Sequence, residues 1–210
     1  MTAILRAAAA ALLLFVTTAA WAAPAPRLSD ADRADIARIE RYLNDIRTLK
    51  TKFNQTNPDG SATSGTIYVQ RPGRMRVEYD APNPVLVVST GVWLIYNDKK
   101  LGQVSYLPLN SSPAAFLVRD SLSFERDGAI LGLERGPKVL RLTVAEKADA
   151  GAQKLTLVFA DSPLKLEKWA VVDAQGQTTN VSLSDPTVGV PLDPVLFKFS
   201  DPSPDRKQRN

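Results

Sequence analysis

The chain has 210 residues with 26 basic and 22 acidic side chains, no cysteine and no histidine. Without histidine there is no Ser-His-Asp or Cys-His catalysis and no imidazole metal ligand, and without cysteine there is no disulfide or thiol chemistry. A formal charge of +4 is a mild cationic bias, compatible with an anionic membrane surface and far below the footprint of a nucleic-acid binder. Carboxylate-only hydrolysis stays open, with Glu78, Asp80, Glu125 and Asp127 as its candidates. Their spacing singles none of them out, and solvated strand ends and turns are the simpler reading.

Residues 1–22 read as an export signal. Arg6 gives a basic start, Ala7 to Ala20 an apolar stretch too short for a comfortable membrane span, and Ala20-Trp21-Ala22 a small-x-small site. Cleavage before Ala23 leaves one domain over 23–200 and a polar tail over 201–210. A bacterial lipoprotein needs a cysteine just after its signal. Here Ala23-Pro24-Ala25-Pro26 follow, so the expected product is released rather than lipid-anchored.

The first element is an amphipathic helix over 29–51. Ser29 is a fitting N-cap, with Asp32 three residues on, and the acidic first turn suits the helix dipole. Ile36, Ile39, Leu43 and Ile46 recur at steps of three and four, widened by Tyr42 and Leu49. The period then falls to two. Lys52 to Thr56 reads as a strand ended by the turn Asn57-Pro58-Asp59-Gly60, and Gly65 to Arg71 as the next strand, ended at Pro72-Gly73.

Met75, Val77 and Tyr79 then alternate with Arg74, Arg76 and Glu78, which requires one wet face and one buried face. Val85 to Val88 and Val92 to Tyr96 are apolar on both faces, and Gly102 to Leu109 continues the series. Pro113 opens a short helix through Val118, with a second short turn at Ser121 to Phe124. Strands are expected at 138–146, 153–160, 164–173 and 177–184, and Val195 to Ser200 closes the set. About ten or eleven antiparallel strands with short connections, one long helix and one or two short ones describe a curved sheet or open barrel with helices on its concave face.

The ordered pieces Phe53-x-Gln55, Gly65-x-Ile67-Tyr68-Val69-x-Arg71-Pro72-Gly73-x-Met75-Arg76, Pro84 to Tyr96, Pro108-Leu109 with Pro113 to Leu117, and Trp169-x-Val171-x-Asp173-x-x-Gly176-x-Thr178 resemble the periplasmic outer-membrane lipoprotein carrier (LolA) family over the whole mature chain. The resemblance implies an α+β fold, mainly β: an unclosed antiparallel β-barrel covered by a helical lid, with an apolar cavity for lipoprotein acyl chains between them. It implies a periplasmic, monomeric, non-enzymatic chaperone without cofactor or metal, and with no nucleic acid partner. Its cargo comes from an inner-membrane ABC transporter and goes to an outer-membrane receptor or to the outer membrane itself. A related lipid-binding or envelope-sensing domain of the same fold is the alternative.

The resemblance also assigns Arg71 as a latch bonding to the lid, and places Met75 on the cavity rim. Alternation puts Met75, Val77 and Tyr79 on the cavity face, with Val87 on the next strand. Trp93 and Ile95, or else Leu94 and Tyr96, point the same way; parity does not choose between them. Ile39, Leu43 and Ile46 supply the expected underside of the lid, with Phe116 and Leu117 from the short helix. A dry, close-packed core would use the same residues.

Overall fold

The computed structural model describes residues 28–112, 114–145 and 153–202. The expected export signal over 1–22, Pro113 and the tail from residue 203 lie outside them. Eleven strands form one antiparallel sheet: β1 (Thr48–Thr56), β2 (Ala62–Gln70), β3 (Arg74–Tyr79), β4 (Val85–Thr90), β5 (Trp93–Asp98), β6 (Gln103–Pro108), β7 (Ala129–Gly136), β8 (Val139–Ala145), β9 (Lys154–Asp161), β10 (Leu164–Val172) and β11 (Thr178–Val188). Their order is β6-β5-β4-β3-β2-β1-β11-β10-β9-β8-β7, so β6 and β7 are unpaired edges and the barrel is unclosed. Two meanders, β1–β6 and β7–β11, join at the β1–β11 pairing.

Helix α1 (Asp30–Asp45) starts on a complete capping box, in which Ser29 Oγ accepts from the Asp32 amide and the Asp32 carboxylate accepts from the Ser29 amide. It ends six residues earlier than its apolar period suggests. Ile46 is an extended C-cap, and Leu49 belongs to β1, between Val69 of β2 and Val188 of β11. Pairing of Thr48 to Thr51 with β2, and of Leu49 and Lys50 with β11 as well, satisfies this backbone in a sheet, and its threonines favour it. Two short helices follow, α2 (Ala114–Val118) and α3 (Phe124–Asp127).

One strand was not expected and one expected strand is absent. Strand β7 goes unsignalled in the sequence because Gly132 and then Glu134-Arg135 cut its apolar run short. Residues 195–200 are not a strand: Pro194 opens a 3₁₀ turn (Pro194–Phe197), with the Asp193 carboxylate accepting from the Val195 amide at 2.8 Å. This turn packs on the outer face of β3 and β4, where an Arg76 guanidinium nitrogen donates to the Leu196 carbonyl at 3.0 Å. Asp201 accepts a hydrogen bond from the Tyr106 hydroxyl at 2.9 Å.

The concave face is divided. Over β8–β10, α1 and α3 close a dry core: Ile36, Ile39 and Leu43 meet Leu142, Leu157 and Phe159, and Phe116 stacks on Phe124. Over β1–β3, residues 109–112 and 114–118 cover a second cluster of Phe53, Ile67, Val69 and Met75 with Leu109, Ala115 and Val118. Gly65 lies between β1 and β3 where no side chain fits: a Cβ there would collide with the Glu78 carbonyl oxygen and sit 2.7 Å from the Phe53 ring.

Candidate functional site

Between these clusters the concave face is not filled. A cavity of about 520 Å³ lies against β1–β6 and β9–β11, within the range of roughly 300–1,000 Å³ usual for small-ligand sites. Its walls include Ile67, Met75, Val77, Val87, Leu94 and Leu107 on one side, Leu155, Trp169, Val171 and Val181 on the other, and Ala114 and Leu117 from the lid. Phe53 and Tyr79 meet edge to face at 5.3 Å in its floor. Among the described residues no charged side chain lines it. Tyr96 is 43% and Leu107 52% exposed, so the cavity opens to solvent along the β5–β6 edge.

Of the lining residues expected from sequence, Met75, Val77, Tyr79, Val87 and Leu117 lie in this wall. On β5 the parity is that of Leu94 and Tyr96. Trp93 and Ile95 occupy the opposite face, Trp93 ring-to-ring with Tyr106 and Ile95 paired with Val88. Both faces of β5 are apolar because the outer one is screened by the 194–199 segment, where Phe199 meets Tyr106. Ile39, Leu43 and Phe116 are in the dry core, and Ile46 is buried at the end of α1 without reaching the cavity. Ile39 and Leu43 are held there because α1 ends at Asp45 and lies along the β8–β10 half.

Arg71 sits at the junction of barrel and helices. It is only 7% exposed. Its Nε donates to the Leu117 carbonyl at 3.0 Å and its NH1 to Asn44 Oδ1 at 3.4 Å. Asn44 in turn bonds both the amide and the carbonyl of Leu122, at 2.8 and 2.9 Å. The adjacent Gly73 amide donates to the Val118 carbonyl at 2.7 Å. One buried arginine thus ties the β2–β3 turn to α1 and α2. It has no carboxylate within ion-pair distance among the described residues, and burial, then Arg47 nearby, pulls its pKa from 12.5 down to about 10.

Nothing in the residues themselves singled out Gln55, Trp169, Val171, Thr179 and Val181. Alternation on β10 and β11 could have offered the last four, but only the pairing of β11 with β1 brings them opposite β3. The four carboxylates considered for hydrolysis do not assemble. Glu78 pairs with Arg76 on the outer face, Asp80 accepts from Ser64 in a turn, Glu125 pairs with Arg33, and Asp127 is held by Arg126. Among the described residues no cluster of acidic side chains could hold a metal ion.

An open half-barrel with an apolar, uncharged pocket under a tethered lid defines a binding protein for apolar chains. The profile of the family "Outer membrane lipoprotein carrier protein LolA" matches residues 44–200. An outer-membrane lipoprotein carrier protein of Pseudomonas aeruginosa (strain UCBPP-PA14) is 32% identical over 200 residues, covering 90% of this chain and 93% of that one. The corresponding protein of Methylococcus capsulatus (strain Bath) is 30% identical over 185 residues, covering 83% and 88%. The chain belongs to the LolA family.

Proposed function

We propose that this protein carries lipoproteins through the periplasm with their acyl chains in the cavity between sheet and lid. It takes them from an inner-membrane ABC transporter and delivers them to an outer-membrane receptor or to the outer membrane itself. The observation that carries the reading is the unfilled, uncharged cavity beneath a lid held by Arg71. Burying a methylene is worth about 0.8 kcal/mol, so a sixteen-carbon chain is worth roughly 12 kcal/mol. Crossing water with such a chain exposed is correspondingly slow, and a carrier must offer comparable apolar surface without holding its cargo irreversibly. A lid that closes on the protein's own apolar residues when empty meets both demands.

The direct test incubates the exported protein with inner-membrane vesicles containing the transporter, ATP and a labelled lipoprotein. The label should move to the soluble fraction and co-purify with the protein. Label that stays with the vesicles sinks the carrier reading.

A further inference from the structure

The two ends of the cavity differ chemically. The end under the lid is walled by Met75, Leu94, Leu107 and Leu117. At the opposite end, Gln55, Tyr79, Tyr96 and Thr179 lie within three residues of the turns that close β1–β2, β3–β4, β5–β6 and β10–β11. The Tyr79 hydroxyl donates to Gln55 Oε1 at 3.0 Å, and Gln55 Nε2 donates one hydrogen to Asn57 Oδ1 at 2.6 Å. That leaves the second Gln55 amide hydrogen unused. The hydroxyls of Tyr96 and Thr179 donate to no protein acceptor among the described residues. Among the residues that line the cavity, this end therefore offers three hydrogen-bond donors and no cation.

Asp98 follows Tyr96 by two residues at the end of β5, where its carboxylate accepts from the Lys100 and Leu101 amides at 2.9 and 3.0 Å. Its charge is close enough to contribute, after burial, to the upward shift of the Tyr96 phenol. A negative charge beside donors that lack a cation favours a neutral acceptor and disfavours an anion.

We propose that this rim reads how the chain is linked. It binds the carbonyl of a neutral acyl ester or amide at the turn end, points the methyl end toward the lid, and rejects free fatty acids. The inference rests on the carrier reading of the cavity and adds to it a head-group selectivity and a direction of entry. A free fatty acid would bring its carboxylate to a mouth that no cation lines, near the charge of Asp98. An ester or amide carbonyl is acceptor-only and matches the unused donors.

The test is calorimetric titration of the exported, processed protein with 1-monopalmitoylglycerol and with palmitate at neutral pH. The ester should bind at least tenfold more tightly. Tyr96→Phe and Thr179→Val should each weaken the ester about three- to tenfold and leave palmitate unchanged, so that the preference narrows. Asp98→Asn should tighten palmitate severalfold without altering the ester. Equal affinity for the two ligands, or an unchanged ratio in the Tyr96→Phe/Thr179→Val double variant with a native far-ultraviolet spectrum, overturns the proposal. If neither ligand binds the wild-type protein, the cavity reading fails along with it.

Discussion

Replacing Arg71 by leucine tests whether the lid is held by a balance or by a lock. The guanidinium makes two charge-assisted hydrogen bonds to neutral acceptors, at 3.0 and 3.4 Å. Such bonds contribute about 1.5–3 kcal/mol each, and the longer one lies at the weak end. Against them stands the desolvation of a charge without a carboxylate partner. A pKa lowered from 12.5 to about 10 corresponds to about 3 kcal/mol against the charged form. The terms nearly cancel, so closure is favoured by at most a few kcal/mol, as a lid that must open requires. Arg71→Leu should therefore change global stability by less than about 2 kcal/mol while freeing the lid locally. In hydrogen exchange, protection at the Gly73 amide and across residues 115–119 should fall by about tenfold, a loss of about 1.4 kcal/mol. Because closure on the empty cavity favours release, the variant should also accumulate bound lipoprotein and pass less of it onward. Unchanged exchange at these amides together with normal transfer would show that Arg71 is not the latch.

Three other perturbations read different parts of the molecule. Val77→Glu places a carboxylate in a cavity wall that has no cation, and it should weaken binding of a fluorescent neutral acyl ester by about two orders of magnitude or more while the circular dichroism stays native; normal uptake would put the cargo elsewhere. Gly65→Ala forces a methyl against the Glu78 carbonyl and the Phe53 ring, and the urea midpoint should fall by the equivalent of about 1–3 kcal/mol; an unchanged midpoint would contradict that close approach. The Asp32 carboxyl is held at about 2, against 3.8 when unperturbed, by the Ser29 amide and then by Arg135. Above 3.8 its contribution is fully present. As the pH falls from there toward 2 the unfolded chain takes up a proton that the folded chain refuses, so stability drains away. Melting temperature should fall more steeply over that interval in the wild type than in Asp32→Asn, and parallel curves would remove Asp32 from the account.

Some of this was legible in the residues themselves. Local rules have short range, and where one rule dominated it was sufficient. The Ser29–Asp32 box marked the start of α1. The charged residues between Met75, Val77 and Tyr79 fixed which way β3 faces, since Arg74, Arg76 and Glu78 could not all be buried. The ordered motifs from Phe53 to Thr178 pointed to the family that the profile match then established.

Other features depended on partners distant in sequence. The end of α1 was decided by β2 and β11, which claim residues 48–51 for the sheet. The orientation of β5 had no local sign because both of its faces are apolar, and only the C-terminal segment packed outside β3 and β4 gives each face its role. The separation of dry core from cavity was the least legible of all. Ile39, Leu43 and Phe116 are as apolar as Val77, Val87 and Leu117, and what distinguishes the two sets is whether another element fills the space in front of them. Composition and periodicity say that a side chain must leave water. Only the tertiary arrangement says whether this chain supplies the atoms that take water's place.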